Sequence, residues 1–177
     1  TKIKNTVASI ISENGMSQLH IGETEKYAHV SYFFNGGEEQ AHPNEKFFMI
    51  LSPMVKDYID TPEMSAIPIT HEVLAQMERN FYNFYLINFS NPDMVGHTGS
   101  IEAAIKAVEI TYQCVGTIVD RALDIGAIVI ITADHGNADE MIDFEKSEPD
   151  KAHTLNPVPF LILESPVRDR TADIKIG

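Results

Sequence analysis

Cysteine is nearly absent from this sequence: Cys114 is the only one in 177 residues. An internal disulfide and a cysteine-rich zinc module are therefore excluded. Cys114 stands in an apolar helical pattern, where a buried inert thiol is the expectation rather than a nucleophile. Long apolar runs are missing as well. None approaches the roughly 18 residues of a membrane span, and residues 1–15 lack the apolar stretch of a signal peptide. A cytoplasmic protein is the simplest expectation. Bases are scarce too, with 13 Lys and Arg against 26 Asp and Glu and a net charge of −13. That balance repels phosphate backbones and anionic membranes, so neither nucleic acid nor a membrane surface is expected as a partner. An anionic substrate would need the field reversed locally, by metal ions or a few placed bases.

What remains is ordinary globular material, with 44% apolar and 22% charged residues. The length suits one domain with a real core. The first residue is Thr1, and Ala172–Gly177 stops without a closing element, so both ends read as cut from something longer.

Strand and helix patterns alternate. Ile3, Val7, Ile10 and Ile11 have helical spacing, ended by Asn14-Gly15. Gln18–Ile21 reads as a short strand, Glu25–Phe34 as a short helix closed by Asn35-Gly36-Gly37, and Phe47–Leu51 as a strand. Pro53, Pro62 and Pro68 make Ser52–Pro68 loop-rich, and Thr70 caps a helix from about His71 to Asn80. Phe84–Phe89 is a strand and Ser90–Gly99 a polar loop. Ser100 caps a long helix to about Ile125, with Ile101, Ile105, Val108, Val115, Val119 and Ala122 as its inner stripe and Gly126 closing it. Ala127–Thr132 is a β-branched run of the kind buried on both faces of a parallel sheet. Asp134–Lys151 reads as an acidic surface loop, with Asp143, Glu145, Glu148 and Asp150 solvated, and Pro157–Leu163 as the last strand. The expectation is an α/β layered domain whose strands Phe47–Leu51, Phe84–Phe89, Ala127–Thr132 and Pro157–Leu163 share one mainly parallel sheet with helices on both faces.

Ligands of such sheets gather beyond the carboxyl ends of the strands. Phe84–Phe89 runs into Asn91-Pro92-Asp93-Met94-Val95-Gly96-His97, and Ala127–Thr132 runs into Asp134-His135-Gly136-Asn137. Lys151-Ala152-His153-Thr154 precedes the last strand. Asp93 and His97, four apart, can chelate one ion from a turn or helical start. Asp134 and His135 are adjacent and would point to opposite faces of a strand, unless the backbone bends at Gly136. Asp and His together suit Mn, Zn or Fe, and two such sites side by side would form a two-metal phosphoryl-transfer centre. The plain alternative is that these residues cap helices or sit on the surface. His20, His29, His42 and His71 have no comparable acidic neighbour and read as structural or surface. Met49, Met64 and Met77 read as core packing.

Residues 91–99, 132–138 and 153–159 closely resemble the cofactor-independent phosphoglycerate mutase family. So do Glu23-Thr24-Glu25-Lys26-Tyr27-Ala28-His29-Val30, Phe33–Gly37 and Pro62–Ala66. The likeness runs from about Gly15 to Leu163, and the wider superfamily is that of alkaline phosphatase. The resemblance implies interconversion of 3-phosphoglycerate and 2-phosphoglycerate through a phosphoserine, with two divalent ions, usually Mn2+, and without 2,3-bisphosphoglycerate. Carried over by position, Asp93, His97 and His153 match the ligands of one metal. Asp134 and His135 match two ligands of the other, and Lys26 matches a lysine that contacts the transferring phosphoryl group. The family's nucleophilic serine, one further aspartate ligand and the inserted glycerate-binding domain have no match here. The stretch Phe47–Asp60 departs from the family wording, and Val167–Gly177 is short of the usual last helix. Residues 1–177 therefore read as the C-terminal portion of the phosphatase domain, inactive alone. The alternatives are another metal-dependent phosphatase or phosphomutase of that superfamily, or a non-catalytic metal-binding remnant.

Overall fold

In a computed structural model, residues 3–79, 82–143 and 148–165 are described. Strand β1 (Gln18–Glu23) is central, paired in parallel with β2 (Glu45–Ile50) on one side and β3 (Phe84–Ile87) on the other. Its two faces are covered differently. On one, Ile21 packs with Ile69, Val73 and Met77 of α2 (Ala66–Arg79) and with Ile118 and Ala122 of α4 (Ile101–Asp124). On the other, Gln18 donates to the Ala8 carbonyl in α1 (Val7–Glu13) at 2.9 Å. There too His20 Nδ1 meets the Val30 carbonyl at 2.7 Å, with Phe34, Phe47 and Phe84 around the ring. A parallel sheet carrying helices on both faces is what the alternating pattern predicts.

The single sheet of four strands does not form. Strand β4 (Val129–Thr132) pairs antiparallel with β7 (Phe160–Leu163), and neither is bonded to the β2-β1-β3 sheet. Strands β5 (Ile142–Asp143) and β6 (Glu148–Pro149) make a further antiparallel pair inside the expected acidic loop. Nor is β4 buried on both faces: Val129 packs on the core, while Ile130 is 58% exposed. An apolar β-branched run reports a wish for burial, and the partner strand depends on where the chain returns.

Helix termini follow local chemistry closely. Thr6 accepts from the Ser9 amide at the start of α1 and Ser100 from the Ala103 amide at the start of α4. Gly126, at φ +74°, lets the chain leave α4 with its amide on the Leu123 carbonyl. Three expectations change. Helix α2 begins at Ala66, so Thr70 lies inside it, donating to the Ala66 carbonyl rather than capping. Pro68 falls in the first turn, where a missing amide costs nothing. Glu25–Phe34 is not one helix but a 3-10 turn, Thr24–Lys26, and a π-helical turn, His29–Phe33. The polar stretch after β3 winds into α3 (Asn91–Gly96), with Pro92 in its first turn. Asn91 is buried and donates to the Ala107 carbonyl at 3.0 Å while accepting from Thr111 at 3.0 Å.

That anchor brings α3 against the small residues of α4. Ala103, Ala104 and Ala107 are its buried positions there, joined by Val95, Met64 and Met141. The expected stripe is therefore wrong at its N-terminal half: Ile101, Ile105 and Val108 are exposed. Alanines permit closer helix packing, and this helix carries apolar residues on more than one face. Cys114, Met64 and Met77 are buried as expected, but Met49 is exposed. Asn80, Glu145 and Val167–Gly177 lie outside the described residues.

Candidate metal centre

Helix α3 follows β3 directly, and its first turn presents Asp93 while its end presents His97. These two share a face four residues apart, with Asp93 Oδ1 3.2 Å from His97 Nε2. The segment between β6 and β7 delivers His153, whose Nε2 lies 3.0 Å from His97 Nε2 and 3.3 Å from Asp93 Oδ1. The structure thus brings Asp93, His97 and His153 together. Donors sharing one ion at about 2.0–2.2 Å are spaced similarly.

Proton positions sharpen the reading. His97 Nδ1 meets the Lys151 carbonyl at 2.6 Å. A carbonyl only accepts, so Nδ1 carries the proton, and in the neutral ring the Nε2 lone pair faces Asp93 and His153. Lone pairs and a carboxylate oxygen pointed at one another repel, unless a cation or an added proton lies among them. A backbone acceptor fixing the imidazole tautomer is the usual outer support of a metal-binding histidine. The donor set fits a divalent cation.

Asp134 and His135 follow β4, where the chain bends out of the strand. The half-exposed Asp134 directs Oδ2 at His135 Nε2, 3.5 Å away. His135 stacks on His153 with centroids 3.6 Å apart, and donor atoms of Asp93, His135 and His153 all lie within 4.8 Å of one another. His135 therefore joins the same cluster as Asp93 and His153. Lys26, in the 3-10 turn after β1, is buried, with Nζ 2.7 Å from Asp93 Oδ2. Burial works to raise the Asp93 carboxyl, but the Lys26 hydrogen bond and charge, with smaller help from His97 and His135, hold the group below its ordinary range.

Two contributors carry no spacing signature. Asn137, buried, donates through Nδ2 to Asp93 Oδ1 at 2.9 Å, the oxygen that faces both histidines. Its Oδ1 abuts Gly96, where a Cβ would overlap it. The Lys151 contribution is a main-chain carbonyl, invisible in side-chain chemistry. His29 feels Lys26, Asp134, Asp93 and His135, and burial with the Lys26 charge lowers its pKa.

An α/β fold with carboxylate and imidazole donors gathered at strand ends defines a metal-dependent enzyme class. The chain belongs to the metalloenzyme superfamily, whose family model matches residues 1–175. It is similar to the 2,3-bisphosphoglycerate-independent phosphoglycerate mutase of Clostridium acetobutylicum, 50% identical over 163 residues. That match covers 92% of this chain and 32% of the relative. The protein of the same name from Symbiobacterium thermophilum is 47% identical over 170 residues, covering 96% of this chain and 32% of that one. The crystal structure of Leishmania mexicana phosphoglycerate mutase at low cobalt concentration superposes with a TM-score of 0.87 at 31% identity. It covers 96% of this chain and 33% of that one. The PH0037 protein of Pyrococcus horikoshii, at 17% identity and a TM-score of 0.55, shares the fold alone. This chain spans about a third of the length of the curated relatives it matches.

Proposed function

We propose that this chain is the metal-ligand-bearing, C-terminal portion of the phosphatase-like domain of a phosphoglycerate mutase. The reaction is the interconversion of 3-phosphoglycerate and 2-phosphoglycerate through a phosphoserine, in cytoplasmic glycolysis and gluconeogenesis. The observation that carries this reading is the meeting of Asp93, His97 and His153 within 3.0–3.3 Å, beside the buried Lys26. Asp93, His97 and His153 would hold one divalent ion, and Asp134 and His135 would give two ligands to a second. Mn2+ is the metal that the mutase likeness favours among those suited to mixed carboxylate and imidazole donors. Bound there, the ions would neutralise phosphate charge and hold its oxygens.

The chain's own residues do the rest. Lys26 holds Asp93 in place and offers an ammonium proton to a phosphoryl oxygen, in a protein whose net charge of −13 otherwise repels that anion. Asn137 steadies the shared Asp93 oxygen, and Lys151 fixes the His97 tautomer. The serine nucleophile and a further aspartate ligand belong to the remaining part of the mutase polypeptide. Ile101, Ile105, Val108 and Tyr112 form an exposed apolar stripe on α4, and Ile130 and Ile162 a second patch on the β4-β7 pair. The remainder of the mutase chain, about two-thirds of the relatives' length, is the occupant we assign to these faces.

Titration calorimetry with Mn2+ on this chain and on His97→Ala tests the site. One ion per chain is expected, weakened at least tenfold by the substitution. Two equally tight sites, or binding indifferent to His97→Ala, would contradict the ligand assignment. In a coupled assay with 3-phosphoglycerate the chain alone should show no turnover. Metal-dependent turnover by the chain alone would overturn the assignment of the nucleophile to another segment.

A further inference from the structure

His153 rides on a segment with little regular structure. Residues 151–156 lie between β6 and β7, and Thr154 alone among them makes a β-bridge, to Gly136. The segment is largely exposed, so apolar burial does not hold it. Yet its imidazole meets two others within a narrow cluster. Something must fix the arm.

Among the described residues, three hydrogen-bonded ties do so. The first is the His97 bond to the Lys151 carbonyl, which belongs to the candidate centre itself. The second is main chain only, the Thr154 amide donating to the Gly136 carbonyl at 2.8 Å. The third is made by side chains outside the candidate ligand set. Asp139 accepts from the Thr154 hydroxyl at 3.0 Å and from the Asn156 amide at 2.7 Å. Glu140 accepts from the same Asn156 amide at 3.0 Å. These bonds span the 15 positions from Asp139 to Thr154, bypassing the β5-β6 pair.

We infer that Asp139 is a positioning residue, whose clamp on Thr154 and Asn156 seats the His153 arm against the loop carrying His135. The inference deepens the metal-centre reading above and rests on it. A carboxylate suits the task because both oxygens accept, one meeting two donors at once. Gly136 forms the floor of the clamp: a Cβ there would overlap the Thr154 hydroxyl and stand 2.6 Å from Asp139 Oδ1. His153 adjoins Thr154, so fixing that residue limits where the imidazole can stand, and a ligand already in place binds an ion without first being ordered.

The test compares Asp139→Ala, Thr154→Val and Thr154→Ser with the unaltered chain, using Mn2+ itself as the probe. Titration calorimetry should show affinity about tenfold weaker in Asp139→Ala and Thr154→Val, as outer supports of metal ligands commonly give. Thr154→Ser, which keeps the hydroxyl, should stay within about twofold of the original. Circular dichroism in chelator should be alike for all four. Unchanged affinity in both Asp139→Ala and Thr154→Val overturns the inference, as does a Thr154→Ser loss equal to that of Thr154→Val. If Asp139→Ala fails to fold, the two Thr154 variants decide. The His153 ring resonances in the metal-free chain give an independent readout. Binding that ignores His97→Ala sinks the metal reading, whereas His153 resonances unmoved by Asp139→Ala and Thr154→Val sink the clamp.

Discussion

Lys26 Nζ stands 2.7 Å from Asp93 Oδ2, joining the end of β1 to the start of α3 in a pair whose side chains are 9% and 15% exposed. Asp93 has a second partner, Asn137, on its other oxygen. Both oxygens of one carboxylate are thereby committed, one to a cation and the other to a buried amide beside two imidazoles. The pair is placed to orient Asp93, not merely to neutralise it.

Removing the cation should expose this balance. Lys26→Met leaves Asp93 partly buried without its counter-charge, and the metal-free chain should lose about 1–3 kcal/mol at neutral pH. The sign with pH follows from linkage. With Lys26, the folded Asp93 pKa is depressed, so its stabilisation is present above the unfolded value of about 3.9 and fades as pH falls. Without Lys26 the carboxyl loses its strongest lowering influence, while the Asn137 bond and the His97 and His135 charges stay. Its pKa rises from the depressed value, so acid relieves the variant. Urea titrations in chelator should therefore show a deficit that narrows as pH falls below about 4. A constant deficit would refute the pairing.

Asn137→Leu removes the donor to Asp93 while keeping volume. Mn2+ affinity should fall about tenfold or more, because an outer partner of a candidate ligand is lost. Calorimetry on the variant is sufficient, and unchanged affinity would show that Asn137 only fills space.

Tyr58 provides an alkaline marker outside the candidate ligand set. Its hydroxyl donates to Glu25 at 2.8 Å, and burial together with that carboxylate pushes its pKa up to about 12. An acid whose folded pKa is raised stabilises fully below its unfolded pKa, about 10, and loses that contribution as pH rises toward the folded value. The chain should thus lose stability between about pH 10 and 12, and Tyr58→Phe should flatten that slope. Ultraviolet difference titration should place the missing phenolate at the upper end of the range.

Gly116 occupies the interior of α4, and a Cβ added there meets nothing within 4 Å. Gly116→Ala should stabilise the chain by about 0.5–1 kcal/mol, through the unfolded state and helix propensity. A lowered thermal midpoint would mean that the apparent space is filled.

The strand β1 is visible in the run Gln18–Ile21, and α4 in the Ser100 cap, its apolar density and Gly126. Those features act within a few residues of themselves, so local sequence suffices. The motifs at Asp93, His97, Asp134, His135 and His153 are equally legible as metal-binding residue types at strand ends. Asn137, the Lys151 carbonyl and Asp139 are not, since an amide, a peptide oxygen and an exposed carboxylate look ordinary until something stands opposite them.

By itself, then, the sequence determined the α/β alternation, the Ser100 cap of α4 and which metal-binding residue types follow β3 and β4. Tertiary structure decided that β4 turns to β7 instead of joining the β1 sheet, and that α4 buries Ala103, Ala104 and Ala107 rather than Ile101, Ile105 and Val108. It also decided that His135 stacks on His153 and that Lys26 grips Asp93. The physical reason is the range of the forces. Capping and periodicity act along a few residues of chain, whereas strand partners, helix faces and ion pairs are chosen by whatever surface the folded chain brings within a few ångströms.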